Sequence, residues 1–146
     1  MDFAQRTIDL ASRNVTEGGR PFATVVARNG DVLAESANRV AQTHDPTAHA
    51  EMLAIREACT TLAAERLADA DLFVTLEPCA MCAGAISFAR IRRLYFGTPD
   101  EKGGAVVNGP RFFGQPTCHH APEIYSGFRE QEAAGLLKDF FRERRL

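Results

Sequence analysis

Ala48-His49-Ala50-Glu51 and Pro78-Cys79-Ala80-Met81-Cys82 are the stretches from which the rest of the chain can be read. Together they carry one imidazole, one carboxylate and two thiols, and each leads into a run with helical spacing. Met52, Ile55, Cys59 and Leu62 form the apolar stripe after the first stretch, and Ala83, Ile86 and Ala89 the stripe after the second. Cys59 reads as a small core residue on its stripe. Leu72-Phe73-Val74-Thr75-Leu76 lies between the helices, a continuous apolar run that predicts a central strand covered on both faces. Thr47 is placed to cap the first helix, although Ala50 leaves the capping box incomplete. Pro78, with no N–H and a preset φ, suits the start of the second.

Working outward, residues 3 to 16 read as a helix through Ala4, Ile8, Ala11 and Val15, ended by Gly18-Gly19. Pro21 to Ala27 reads as a strand, Asn29-Gly30 as a hairpin turn, and Val32 to Ala37 as the antiparallel return. Residues 38–46 predict a polar loop, either plain turn chemistry or a wall of the site into which it feeds. Arg90, Arg92 and Arg93 precede the strand Leu94-Tyr95-Phe96; they either solvate a helix end or form a phosphate-contacting patch. The Gly- and Pro-punctuated segment 100–116 offers Phe112 and Phe113 as core anchors, and Ile124 to Phe128 is a short strand or turn. A last helix is predicted from about Glu130 to the end, residue 146, with Leu136, Leu137, Phe140 and Phe141 on its apolar face. Lys138, Arg142, Arg144 and Arg145 crowd its C-terminus, where cations stabilise the helix or, beside aromatics, clamp RNA. A hairpin followed by alternating helix and strand predicts an α/β protein, a three-layer α/β/α domain over residues 1–146.

The composition fits one globular domain: 146 residues, 45% hydrophobic and 25% charged. Four cysteines, two of them in one motif, suit metal binding better than a disulfide scaffold. No cationic start with an apolar run opens the chain and no stretch reaches membrane-spanning length, so the expected location is cytoplasmic, with no membrane partner. A net charge of −2 does not advertise nucleic-acid binding, though a local basic patch would suffice.

The chemistry follows from the spacing. Cys79 and Cys82, three apart at a helix start, turn both sulfurs to one side. The partial positive charge of a helix N-terminus favours thiolates there. With His49 they make three ligands for one zinc ion and leave one tetrahedral position open, as in a catalytic site. A water in that position becomes acidic near neutral pH. Glu51, two residues past the imidazole, is placed to exchange protons with it without being a ligand. His44 is a spare imidazole. Cys118-His119-His120 is a rival cluster, but three consecutive side chains cannot all face one ion without unusual backbone.

His-Ala-Glu followed by Pro-Cys-x-x-Cys resembles the cytidine deaminase-like superfamily, whose zinc nucleobase deaminases carry this signature. The longer stretches His44 to Glu51 and Val74 to Ala85, with Phe96-Gly97-Thr98-Pro99-Asp100-Glu101-Lys102 and the tail Leu136 to Arg145, resemble its tRNA-specific adenosine deaminase branch, which converts the wobble adenosine of an anticodon to inosine. The resemblance covers nearly the whole chain. It implies a five-stranded mixed sheet with helices on both faces, one Zn2+ per chain on His49, Cys79 and Cys82, and Glu51 as proton shuttle. It further implies a homodimer and an Asn38 that hydrogen-bonds the target base. Ala50 and Pro78 are the substrate-binding positions next to the ligands. Asp100, Lys102, Phe140, Phe141 and Arg142 are implied as contacts to a tRNA anticodon loop.

One strand departs from that branch. Where tRNA enzymes read Val-Pro-Ile/Val-Gly-Ala, this chain reads Gly18-Gly19-Arg20-Pro21-Phe22-Ala23-Thr24, closer to guanine and other free-base or nucleoside deaminases. Phe22 is then either a pocket wall for a small nucleobase or nucleoside or an ordinary core-facing residue. A zinc-bearing RNA-binding scaffold without activity is a further reading. It would have no use for Glu51 beside an open metal position.

Overall fold

The computed structural model of the chain describes residues 1–144. Helix α1 (Phe3–Thr16) begins after Asp2, whose carboxylate accepts the Gln5 N–H at 2.9 Å. Strands β1 (Ala23–Arg28) and β2 (Asp31–Ala37) pair antiparallel around Asn29 and Gly30, whose φ values of 52° and 81° suit the tight hairpin. A short helix α2 (Val40–Thr43) follows, then α3 (Ala50–Leu62), β3 (Asp71–Leu76), α4 (Ala80–Phe88) and β4 (Arg93–Thr98). A 3-10 turn (Phe112–Gly114), β5 (Glu123–Ser126) and α5 (Glu130–Arg144) complete the described chain. The predicted end of the last helix, at Arg145 and Leu146, lies outside the described residues. No helix among the described residues is long and apolar enough to cross a membrane.

The strands form one mixed sheet of order β2-β1-β3-β4-β5. β1 is antiparallel to both β2 and β3, while β3, β4 and β5 run parallel. α1 and α5 cover one face and α3 and α4 the other, which is the three-layer α/β/α arrangement. Both faces of the central strands are therefore buried, as the unbroken apolar run of β3 requires. On the α3/α4 face Leu72, Val74, Leu94 and Phe96 pack with Ile55, Ile86 and Ile91. On the other, parallel register aligns Phe73, Tyr95 and Tyr125, whose rings stack at centroid distances of 4.5 Å and 4.9 Å.

Pairing of Ala23 with Ala37 and of Thr24 with Val74 brings the start of β1, the end of β2 and the end of β3 to one edge of the sheet. The loops that leave this edge lead into α3 and α4. At the opposite edge Arg92 and Arg93 pair with Asp71, and Arg93 also with Glu123. Arg92 and Arg93 are thus tied to carboxylates at the starts of the parallel strands, away from the edge that carries the motifs, while Arg90 donates to the His119 carbonyl at 3.4 Å.

Candidate active site

The helix starts differ from the capping expected of them. α3 begins at Ala50 with His49 as its N-cap, and Thr47 instead bonds through its hydroxyl and N–H to Asp45 Oδ1 at 2.7 and 2.8 Å. α4 begins at Ala80 with Cys79 as N-cap, so Pro78 stands one residue outside the helix. Both N-caps are metal-ligand candidates without a side-chain capping bond. Their side chains are free to leave the helix ends and converge.

They do converge. His49 Nδ1 lies 3.6 Å from Cys79 Sγ and 3.5 Å from Cys82 Sγ. Zn–S bonds of about 2.3 Å and Zn–N bonds of about 2.0–2.1 Å at tetrahedral angles separate sulfur and nitrogen by roughly 3.5–3.6 Å. The donor set therefore fits Zn2+ in both chemistry and spacing. Among the described residues this is the one group of three or more His, Cys, Asp or Glu side chains arranged to hold a metal. Cys118 and His120 are spent elsewhere: the Cys118 thiol and the Ser87 hydroxyl both donate to the His120 carbonyl, and the His120 ring meets the Ile91 carbonyl at 2.7 Å.

The two thiols differ in acidity. Cys79 is pulled down to about 5, chiefly by the thiol of Cys82, against burial and with help from the Cys82 N–H and His49. Cys82 is pushed up, first by donating that hydrogen bond and then by burial. Without an ion the pair shares a proton, which a metal displaces on binding. Glu51, in the first turn of α3, is buried, and its carboxyl is raised from 4.5 to about 7. Burial is the main cause, reinforced by the neighbouring Cys79 charge and opposed by its own N–H and His49. A carboxyl poised near neutrality is matched to both taking and giving a proton.

A cavity of about 310 Å³ opens onto these groups. Its walls include His49, Cys79 and Glu51, with Asn38, Phe22 and Asp100 around them. The Asn38 Oδ1 accepts the Val40 N–H at 3.1 Å, which leaves its NH2 to offer to a ligand. Asn14, buried on α1, donates to the carbonyls of Arg20 at 2.7 Å and Asn38 at 3.2 Å and so sets the approach of both segments. Phe22, half-buried just before β1, faces the cavity as well as a larger opening of about 920 Å³ that runs outward past Lys102 to Phe141 of α5.

The remaining sequence candidates fall elsewhere. Ala50 and Pro78 are buried next to the ligands, and the Pro78 carbonyl is taken by the Ala105 N–H at 2.9 Å. Neither lines the cavity. Phe140 stacks edge-on against Phe141 with centroids 5.6 Å apart, and Arg142 pairs with Asp139 at 2.9 Å. Of the tail candidates Phe141 alone lines the larger opening. Sequence reading missed Glu77, a buried carboxylate two residues before Cys79 that binds the 100–108 segment. Burial alone would push its carboxyl up, but hydrogen bonds from Asp100, Asn108 and Val106 hold it below the ordinary value. Its signal was an acidic residue ending an apolar strand, where a charge is costly unless paired.

Residues 1–98 match the family described as the cytidine and deoxycytidylate deaminase zinc-binding region. The tRNA-specific adenosine deaminase of Agrobacterium fabrum is 61% identical over 126 residues, covering 86% of this chain and 83% of that one. A chain solved in studies of A-to-I editing by tRNA:A34 deaminases at the wobble position of transfer RNA superposes with a TM-score of 0.90 at 54% identity, over 92% of this chain and 98% of that one. The guanine deaminase of Bacillus subtilis is 44% identical over 95 residues, 64% of this chain and 61% of that one. By the match over its first two thirds and by these likenesses, the chain belongs to the cytidine and deoxycytidylate deaminase family.

Proposed function

We propose that the chain is a zinc-dependent hydrolytic deaminase that converts adenosine at the wobble position of a tRNA anticodon to inosine, with one Zn2+ held by His49, Cys79 and Cys82. The observation that carries the chemistry is Glu51, buried beside the two sulfurs and facing the same cavity. Bound at these ligands, Zn2+ supplies the Lewis acidity that lets water attack at neutral pH. Glu51 takes the proton of the attacking water and passes it to the ring nitrogen beside the attacked carbon. It then moves the second proton to the departing amine, so that water and adenosine give inosine and ammonia. Asn38 donates from its NH2 to the base and fixes its orientation.

The substrate is argued from the shape of the opening. A volume of about 310 Å³ is near the lower end of small-molecule sites, roughly 300–1,000 Å³, and accepts one base with its sugar. The larger opening that continues from it toward Lys102 and Phe141 gives flanking nucleotides a place, a cation and a stacking ring. An anticodon loop presents its bases unpaired, so swinging one into the cavity is cheap. Such a substrate places the protein in the cytoplasm. We further propose a homodimer: Phe88 of α4 is 87% exposed beside a groove lined by Ile55, Cys59 and Ala85. Glu in place of Phe88 is expected to shift the mass measured by light scattering from two chains to one.

The second reading is a free-base deaminase, favoured by Phe22 at the mouth of the cavity. Incubation with tRNA, with parallel incubations with guanine, cytosine, adenine and their nucleosides, distinguishes the two. Inosine at the wobble position, with no ammonia from the free bases, is the expected result. Ammonia from guanine or cytosine with tRNA unchanged would contradict it.

A further inference from the structure

Glu77 presents both carboxylate oxygens to one segment of chain. Oε1 accepts the Asp100 N–H at 3.0 Å and the Asn108 side-chain NH2 at 2.7 Å. Oε2 accepts the N–H groups of Val106, Val107 and Asn108 at 3.0, 3.0 and 3.1 Å. Successive N–H groups converging on one anion form an anion nest, here closed by the protein's own side chain. Gly104 lets the segment fit: a Cβ there would lie 2.5 Å from both Glu77 Oε2 and the Asp100 carbonyl. The Asp100 side chain continues the fold by accepting the N–H groups of Lys102 and Gly103 at 3.0 and 3.1 Å. Asp100 and Gly103 wall the inner cavity, and Glu101 and Lys102 join them around the outer one.

We propose that Glu77 is a positioning residue for substrate: its carboxylate folds residues 100–108 so that Asp100 and Gly103 stand in the wall of the cavity, and the fit of substrate depends on that wall. Glu77 itself borders the inner cavity, but with its oxygens committed to five donors it has no acceptor to spare for substrate or for the metal, so it acts through the segment. The proposal rests on the deaminase reading for its kinetic consequence but not for its structural one, and the two are measured separately.

Glu77→Gln keeps the shape and puts an NH2 against one set of donors. By hydrogen exchange without substrate, the amides of Val106, Val107 and Asn108 are expected to lose about tenfold or more of their protection. With substrate, KM is expected to rise roughly ten- to a hundredfold, while kcat stays within about threefold and zinc remains bound. Glu77→Asp, which keeps the charge on a shorter stem, falls between the two. Asn108→Ala, which removes one donor and leaves the carboxylate, gives the same pattern more weakly and serves where Glu77→Gln fails to fold. Unchanged exchange at these amides, or loss of kcat and zinc with KM unmoved, overturns the proposal. A native protein active on no base or tRNA would defeat the deaminase reading, and the exchange result would still decide the role of Glu77 in folding the wall.

Discussion

Glu51 is held between two charge states by its surroundings. Burial favours the neutral acid, while the ring of His49 favours the carboxylate. Replacing it with Gln keeps the shape and removes the proton exchange. Turnover is expected to fall by roughly 10²–10⁴-fold with zinc content unchanged, the range of a lost general acid–base group. The same residue makes a prediction for the metal-free protein. Its carboxyl is raised from 4.5 to about 7, so its favourable contribution is fully present below 4.5 and is lost as pH rises through 7. Metal-free protein is therefore expected to weaken between pH 4.5 and 7 relative to metal-free Glu51→Gln, by up to about 3 kcal/mol in urea titrations. Equal pH profiles for the two would show that the carboxyl is not desolvated. At this scale the candidate ligands were legible because the spacing of such residues at helix starts is a local property. Asn38 was named through resemblance alone, since its environment is made by Val40 on one side and Asn14 of a distant helix on the other.

Among elements, the long periodic ones were legible and the short ones were not. Residues 38–46 predict a loop by composition, yet 40–43 wind into α2. The cause is the Asn38 side-chain Oδ1, which accepts the Val40 N–H, a local side-chain bond that periodicity does not register. Thr47 has the chemistry of a cap but spends it on Asp45, because the turn before α3 needs that bond first. Gly19 shows how closely these segments meet: a Cβ there would lie 2.5 Å from Asn14 Nδ2 and 2.7 Å from Gln42 Nε2. Gly19→Ala is expected to cost about 1–3 kcal/mol in thermal unfolding and to weaken substrate binding by shifting Asn38. At the other end of α3, Ala63 closes the helix in the left-handed region with φ 50°. Ala63→Gly relieves that strain, offset in part by a looser unfolded chain, and is expected to stabilise by about 0.5–1 kcal/mol. A lower Tm for this variant would contradict the assignment of strain.

On the scale of the whole molecule, strand order brings the site together. Because β1 is antiparallel to β3, a loop after β2 and a loop after β3 leave the same edge, and α3 and α4 begin side by side there. The alternation of helix and strand indicated the layers, but sequence alone does not place α5 across β4 or bring its Phe141 to the mouth of the cavity. The segment 100–108 was opaque for the same reason: its partner, Glu77, lies more than twenty residues away. Zinc held by His49, Cys79 and Cys82 would join α3 to α4, so chelation is expected to remove activity and to lower the unfolding midpoint together. Restoring Zn2+ should return both. Metal uptake is expected to release protons and to strengthen as pH rises, since Cys82 must give up its hydrogen.

The most direct test is zinc-edge X-ray absorption on the purified protein with metal content measured in parallel. One zinc per chain, bound by two sulfurs at about 2.3 Å and by nitrogen or oxygen donors at about 2.0–2.1 Å, is the predicted result. A chain that carries no zinc, or a zinc surrounded by four sulfurs or by oxygen alone, would contradict the site of His49, Cys79 and Cys82 and the reaction built on it.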